Sequence, residues 1–149
     1  MVRISIVSIK QVRESSKLYD VEKKITYPID AANIINAVFD LENEDKEKFG
    51  ILVLDTKNKV NAAHIVSMGS LDSTLVHPRE VFKLAILNNA SSIICFHNHP
   101  SGDPNPSKED VNVTKRLQAA GKILGIELVD HIIIGADKRY ISLKQETLI

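Results

Sequence analysis

The run FGILVLDT, residues 49–56, constrains the fold most strongly because it is almost continuously apolar over the length of one β-strand. A short apolar run between charged residues is typical of a strand that is buried on both faces. The next segments, DTKNK and VNAAHIVSMGS (residues 60–70), predict a turn and a second strand. We therefore expect a hairpin whose first strand lies inside a sheet.

The rest of the chain alternates between helical and strand-like patterns. A helix is predicted over about Ile29 to Leu41, with Asp30 as its cap and an apolar stripe of Ile34, Ile35, Val38 and Phe39. The other predicted elements are a helix from His77 to Asn89 with Pro78 at its first position, a strand SSIICFH, a helix from Ser107 to about Ile123, and a closing hairpin of IELVDHIIIG and RYISL.

These elements follow the order α, β, β, α, β, α, β, β, which predicts a mixed sheet packed against helices, an α/β or α+β sandwich. Ahead of them, Arg3 to Ile9 alternate as a half-buried strand does, and QVRESSKLYDVEKKITY, residues 11–27, fits a strand pair or an ordered arm. No linker or repeat divides the chain. We predict one domain over residues 1–149, in which residues 1–25 are an arm or extra strands and residues 26–149 form the main body.

Composition limits the class of protein. The 149 residues are 44% hydrophobic and 26% charged, as in ordinary soluble globular domains. Nineteen basic residues balance nineteen acidic ones, so the net charge gives no support to tight nucleic-acid binding. The single cysteine, Cys95, permits neither a disulfide framework nor a thiolate metal cluster. No apolar run is long enough for a membrane span, and MVRISIVSIK lacks a signal-peptide cleavage site, so we expect a cytoplasmic protein.

The segment HNHPSGDPNPSKED, residues 97–110, contains residue types that can bind a metal ion. His97 and His99 are two residues apart at the end of a predicted strand, so their side chains share one face and can grip one cation. Two surface histidines at a turn are the alternative. Asp110 follows Ser107 in an S-x-x-D pattern, which is also typical of a helix cap. The turn-forming residues between fold the helix start back towards the strand end. Two histidines and one carboxylate, with a fourth position left to water, predict a catalytic zinc site.

At this point the sequence resembles a known family. H-x-H, seven residues, serine, two residues and aspartate is the signature of the JAMM metalloproteases, also called the JAB or MPN domain, and here it is His97, His99, Ser107 and Asp110. The stretches HPREVFKLAILNNASSIICFHNHPSGDPNPSKEDV and LGIELVDHIIIG resemble the RadC-type branch, once named as DNA-repair factors. The resemblance covers about residues 26–149. It implies a cytidine-deaminase-like JAB/MPN fold and a zinc-dependent peptidase or isopeptidase.

The resemblance also implies a general base. In JAMM domains a glutamate enters a strand in an E-x-x-G-x-L pattern, and Glu47 matches with Gly50 and Leu52. Glu47 would take a proton from the zinc-activated water and pass it to the leaving amine, and Ser107 would hydrogen-bond the oxyanion. Glu80, at a helix start, is the alternative base.

Other roles stay open at this stage. Asp130 or His131 is expected to orient a ligand histidine from behind. Long RadC-type proteins carry a helix-hairpin-helix region ahead of the JAB part, and this chain has no stretch that matches it, so a DNA-repair accessory role is the weaker alternative. A non-catalytic scaffold is a third. We expect a protein or peptide substrate, no membrane partner, and leave a homodimer open.

Overall fold

The computed structural model describes residues 1–69 and 76–149. In that part of the chain it contains three α-helices, a short 3-10 turn at Leu41–Asn43 and five strands in the predicted order. They are α1 (Pro28–Phe39), β1 (Lys48–Leu54), β2 (Val60–Met68), α2 (Pro78–Leu87), β3 (Ser92–Asn98), α3 (Lys108–Leu124), β4 (Glu127–Ile134) and β5 (Tyr140–Ser142). Ser70, the last residue of the predicted second strand, lies outside the described residues.

The five strands form one mixed sheet in the order β2-β1-β3-β4-β5. Only β3 and β4 pair in parallel, whereas the other neighbours are antiparallel, including the two predicted hairpins. The sheet confirms the predicted α+β class and is consistent with a JAB/MPN-like fold. In the β3–β4 register Cys95 lies beside His131, and in the β1–β3 register Phe49 lies beside His97.

Helices cover both faces of the sheet. On one face α2 and α3 pack over a buried cluster that includes Phe49, Phe82, Cys95 and Leu117. On the other face α1 packs over a cluster that includes Ile35, Leu52, Phe96 and Ile132. All but the first residue of β1 and every residue of β3 are buried, as the nearly continuous apolar run predicted. Among the described residues, no helix is long and apolar enough to cross a membrane.

Gly50 lets β1 and β3 pack closely. A Cβ atom at this position would lie 2.5 Å from the carbonyl oxygen of His64 and would collide with the ring of Phe96. The glycine of the E-x-x-G pattern therefore has a packing reason within the sheet.

The start of α1 differs from the prediction. The helix begins at Pro28 with Tyr27 as its N-cap residue, so Asp30 is the third helical residue and the predicted cap at Asp30 is wrong. Proline suits the first helical position because an N–H at that position would have no partner within the helix. The helix therefore begins at the proline, one residue before the predicted start. The Asp30 carboxylate accepts hydrogen bonds from the N–H groups of Thr26 and Tyr27, each at 2.8 Å.

The strand predicted over Arg3 to Ile9 is also wrong. Residues 1–19 have no regular secondary structure, and Ile4 and Ile6 are 82% and 100% exposed. Alternating residues form a strand only where a neighbour satisfies the backbone, and no described strand lies beside this segment. The proposed strand pair within residues 11–27 is likewise absent, apart from one bridge between Lys24 and Lys59.

The packing of α3 on the sheet gives a first prediction. Leu117 is fully buried in the cluster under α2 and α3. Leu117→Ala should lower the free energy of unfolding by about 2–5 kcal/mol, because it removes buried methyl groups and leaves a cavity. Lys115→Ala, two residues earlier on the exposed side of the helix, should change it by less than about 0.5 kcal/mol. Urea unfolding followed by circular dichroism tests this, and equal losses in the two variants would contradict the described packing.

Candidate metal centre

Three polar side chains meet where β3 ends and α3 begins. His97 Nε2 lies 2.9 Å from His99 Nε2, 3.3 Å separates His97 Nε2 from Asp110 Oδ1, and 3.4 Å separates His99 Nε2 from Asp110 Oδ2. His97 and Asp110 are buried, whereas His99 is partly open to solvent. The structure thus brings together the three residues that the sequence predicted as metal ligands.

The loop between β3 and α3 is fixed by backbone hydrogen bonds. The His99 N–H donates to the Ile134 carbonyl at 2.9 Å, which continues the β3–β4 pairing past the strand end. Gly102 turns the chain with a positive φ of 84°, and its carbonyl accepts from Ala136 N–H and from Arg139 Nη2, both at 2.9 Å. These bonds return the chain to the strand end and set the start of α3 beside the two histidines.

Ser107 and Asp110 form the predicted capping box. The Ser107 Oγ accepts from the Asp110 N–H at 3.1 Å, and the Asp110 Oδ2 accepts from the Ser107 N–H at 2.7 Å. The second oxygen, Oδ1, faces His97. One carboxylate therefore fixes the helix start and closes the side-chain cluster.

A chain of hydrogen bonds supports His97 from behind. His97 Nδ1 lies 2.7 Å from His131 Nε2, and His131 Nδ1 lies 2.6 Å from Thr114 Oγ1, whose hydroxyl donates to the Asp110 carbonyl at 2.6 Å. Because the threonine proton goes to the carbonyl, its oxygen must accept from His131 Nδ1–H. His131 Nε2 must then accept from His97 Nδ1–H. This assigns the proton of every hydrogen bond from His97 through His131 to Thr114.

This arrangement of protons leaves the Nε2 atoms of His97 and His99 without a hydrogen. His97 uses its one N–H on His131, and His99 directs Nδ1 at the Asp103 carbonyl at 2.8 Å. Both Nε2 atoms then carry lone pairs that point at each other and at the Asp110 carboxylate. Three electron-rich atoms at such distances need a shared positive charge, either a proton or a metal ion. His97, His99 and Asp110 each offer one ligand atom, all within 4.8 Å of one another.

The distances are close to those around a tetrahedral ion. Bonds of about 2.0–2.1 Å place two ligand atoms of a tetrahedral ion roughly 3.3 Å apart. The distance from Asp110 Oδ1 to His97 Nε2 matches this value. His99 Nε2 is 3.4 Å from the other oxygen, Oδ2, and 2.9 Å from His97 Nε2, so His99 must shift for one ion to bind a single carboxylate oxygen and both nitrogens. The donor set is two imidazoles and a carboxylate, which suits a divalent transition metal.

The pKa shifts follow from burial and from these contacts. Burial raises the pKa of Asp110, but hydrogen bonds with His97 and His99 outweigh it and hold that pKa well below its ordinary value. The hydrogen bond with Asp110 raises the pKa of His99, with a smaller contribution from the charge of Glu47. Burial lowers the pKa of His97 against the opposing effects of Asp110 and Glu47, and burial lowers the pKa of His131 further. Burial therefore favours the neutral form of His97 and of His131.

Glu47 lies near enough to the cluster for its charge to act on the two histidines. It directly precedes β1, and its charge acts on both His97 and His99. The Asn98 side chain holds this segment from both sides: its Oδ1 accepts from the Lys48 N–H at 2.7 Å, and its Nδ2 donates to the Lys46 carbonyl at 3.0 Å. The alternative, Glu80, lies in the first turn of α2 and pairs with Lys83 at 2.9 Å. The charge of Glu47 thus acts on both histidines of the cluster, whereas the carboxylate of Glu80 pairs with a lysine on its own helix.

The two candidates on β4, Asp130 and His131, differ in what they contact. His131 touches a predicted ligand, whereas the Asp130 carboxylate accepts from Ser142 Oγ at 2.6 Å, from the His131 N–H at 2.7 Å and from the Lys144 N–H at 3.1 Å. Asp130 therefore ties β4 to the chain end and does not contact the cluster. Ser107 is exposed at its rim.

Sequence reasoning missed two residues that hold the site. The sequence motifs give no role to Asn98 or to Thr114. Thr114 lies four residues after Asp110, so both are on one face of α3, and this helical spacing was available as a signal. For Asn98 the sequence offered no signal beyond its place between the two histidines.

Comparison with known proteins agrees with this geometry. The family model described as the RadC-like JAB domain matches residues 25–148. A UPF0758 protein of Clostridium botulinum, strain Hall, is 46% identical over 145 residues, which cover 96% of this chain and 62% of the relative. A UPF0758 protein of Methanosarcina mazei is 50% identical over 125 residues, which cover 84% of this chain and 53% of the relative.

The chain thus spans about three fifths of one relative and about half of the other. The matched residues include all of β1 to β5 and every member of the histidine–aspartate cluster. This chain belongs to the RadC-like JAB domain family.

Proposed function

We propose that this protein is a zinc-dependent hydrolase of peptide or isopeptide bonds. The observation that carries the proposal is the convergence of two imidazole Nε2 atoms and a carboxylate oxygen, with the charge of Glu47 acting on both rings. Two histidines and one carboxylate leave one position of a tetrahedral zinc ion for water, as in catalytic sites and unlike closed structural sites. His97, His99 and Asp110 would hold the ion.

When bound, zinc lowers the pKa of a water molecule towards 7 and polarises a carbonyl oxygen. The residues of the chain supply the rest of the reaction. Glu47 accepts a proton from the attacking water and later donates it to the leaving amine, which needs a carboxylate held at one place. Asn98 provides that restraint, because it binds the backbone on both sides of Glu47.

Ser107 supports this chemistry from the helix start. Its Oγ already accepts from the Asp110 N–H, so its own proton is free to point away from the helix. A hydroxyl in this position can donate to the oxyanion that develops on a substrate carbonyl. The proposed substrate is a protein or peptide, since hydrolysis of an amide needs both an acid for the amine and a donor for the oxyanion.

Metal content is the first test of the proposal. We expect about one zinc per purified chain by elemental analysis and near-complete loss in His97→Ala and Asp110→Ala. His64→Ala, which changes an exposed histidine on β2, serves as the matched control and should keep the metal. A folded wild type that takes up no zinc when zinc is supplied would overturn the proposal.

Removal of the base should separate binding from catalysis. Glu47→Gln should retain zinc and lower the rate of hydrolysis in a peptide-library screen by roughly 10²–10⁴-fold, because the amide cannot take the proton. Glu80→Gln, the alternative base, should keep near wild-type activity, and so should Glu42→Gln from the same charged segment. Full activity in Glu47→Gln together with loss in Glu80→Gln would reassign the base.

The hydrogen-bond chain behind His97 gives a third test of the site. Thr114→Val keeps the branched shape but removes the hydroxyl that fixes His131, so the orientation of His97 is lost. We expect zinc affinity to fall about tenfold, at the low end of the 10–100-fold range for outer partners of ligands. Competition with a chelating indicator measures this. Thr114→Ser keeps the hydroxyl and should bind as the wild type does; equal affinities in the two variants would show that the chain does not orient the ligand.

A further inference from the structure

Two features of the chain lie outside the candidate metal centre and lack a partner among the described residues. The first is the arm, defined as residues 2–12. Its apolar side chains at Val2, Ile4, Ile6, Val7, Ile9 and Val12 are each at least 75% exposed. Five of the eight residues from 2 to 9 are β-branched and apolar, which is the composition of a strand and not of a solvated tail.

The second feature is the outer edge of β2. This strand pairs with β1 on one side and ends the sheet on the other. It is nine residues long and contains no proline, lysine, arginine, aspartate or glutamate, the residues that usually protect an edge from further pairing. The opposite edge, β5, is only three residues long and offers little to a new strand. Among residues 1–69 and 76–149, the sheet therefore has one long edge that no charged residue, proline or further strand protects.

The chain itself begins to cover this edge and then leaves it. The Val60 N–H donates to the Lys23 carbonyl at 3.0 Å, and the Ile25 N–H donates to the Asn58 carbonyl at 2.9 Å. Next to this single bridge the chain bends at Asp20, Val21 and Lys23, and Val21 packs under α1. No residue of the arm pairs with β2 of its own chain, so among the described residues nothing pairs with residues 61–68 on the side away from β1.

We propose that the arm of one copy pairs along the free edge of β2 in a second copy, and that the exchange is reciprocal. An unpaired strand and an unpaired edge in the same chain satisfy each other in a two-fold dimer, which is a common route to exchange of an element. The lengths agree, because eleven arm residues span about 36 Å and nine residues of β2 about 30 Å. A stable interface buries on the order of 1,200–2,000 Å², and a reciprocal exchange supplies two strand contacts towards that area instead of one.

The comparison with relatives is compatible with a role for the arm. The match to the Clostridium botulinum protein covers 96% of this chain. The unmatched residues are fewer than the residues of the arm, so the match includes at least part of the arm. The shared sequence therefore extends beyond the RadC-like JAB domain, which starts at residue 25.

Sedimentation equilibrium of the full chain tests the dimer. The wild type should be a dimer that dissociates on dilution, and the double variant Ile4→Glu/Ile6→Glu should raise the dissociation constant at least about a hundredfold, because the reciprocal dimer loses both apolar contacts in each of its two arms. Ser15→Glu/Ser16→Glu makes the same charge change in a polar part of the same segment. This variant should leave the dissociation constant within a few-fold of the wild-type value. All four positions are exposed, so thermal unfolding measured at concentrations where every variant is monomeric should not change. A monomeric wild type, or a dimer that ignores the isoleucine changes, would overturn the proposal.

Amide hydrogen exchange then tests the place of docking. Amides of residues 61–68 that face away from β1 should exchange more slowly at dimer concentrations and lose this protection in the isoleucine variant. Protection that does not depend on concentration would mean that the arm folds back on its own chain. An arm-dependent dimer with unprotected β2 amides would place the arm elsewhere. Either result would overturn the proposed exchange.

Discussion

The requirement that a fully buried histidine satisfy both ring nitrogens organises the centre of this molecule. His97 has no solvent contact, so water cannot meet its hydrogen-bonding needs. His131 on the parallel neighbour β4 accepts from one nitrogen, and Thr114 on α3 satisfies His131 in turn. The ring of Phe49 packs edge-on against His131 at 5.6 Å and excludes water from this side. The other His97 nitrogen is thereby left with a lone pair that only a cation or a proton can satisfy.

This requirement joins three elements at one point. β3 supplies the ligand histidine, β4 its partner, and α3 both the threonine and the carboxylate. Asn98, the next residue of β3, joins β1 through the backbone on both sides of Glu47. Adjacent residues of one strand therefore serve opposite faces: His97 faces the helix that carries Asp110, and Asn98 secures the segment that carries the candidate base.

The sequence predicted the parts of the site that depend on local spacing. His97, His99, Ser107 and Asp110 lie within one loop and one helical turn, so their approach followed from strand and helix geometry alone. The partners of His97 and Asn98 are 34 and 52 residues away in the chain, and their contacts depend on strand order, which no local pattern specifies. The misassigned strand at Arg3 to Ile9 has the same origin, because alternation describes the two faces of a strand but not whether a neighbour exists to pair with it.

The double role of the Asp110 carboxylate has an evolutionary consequence. Oδ2 caps α3 through the Ser107 N–H and also lies near His99, while Oδ1 faces His97, so most replacements at this position remove a helix cap together with a candidate ligand. Asparagine is an exception, since its carbonyl oxygen can still accept from the Ser107 N–H but carries no charge for a cation. A descendant of this chain that gave up the metal but kept the fold would therefore be expected to pass through asparagine at position 110. Asparagine at position 110 would then indicate that such a lineage lost the metal while it still kept the cap of α3.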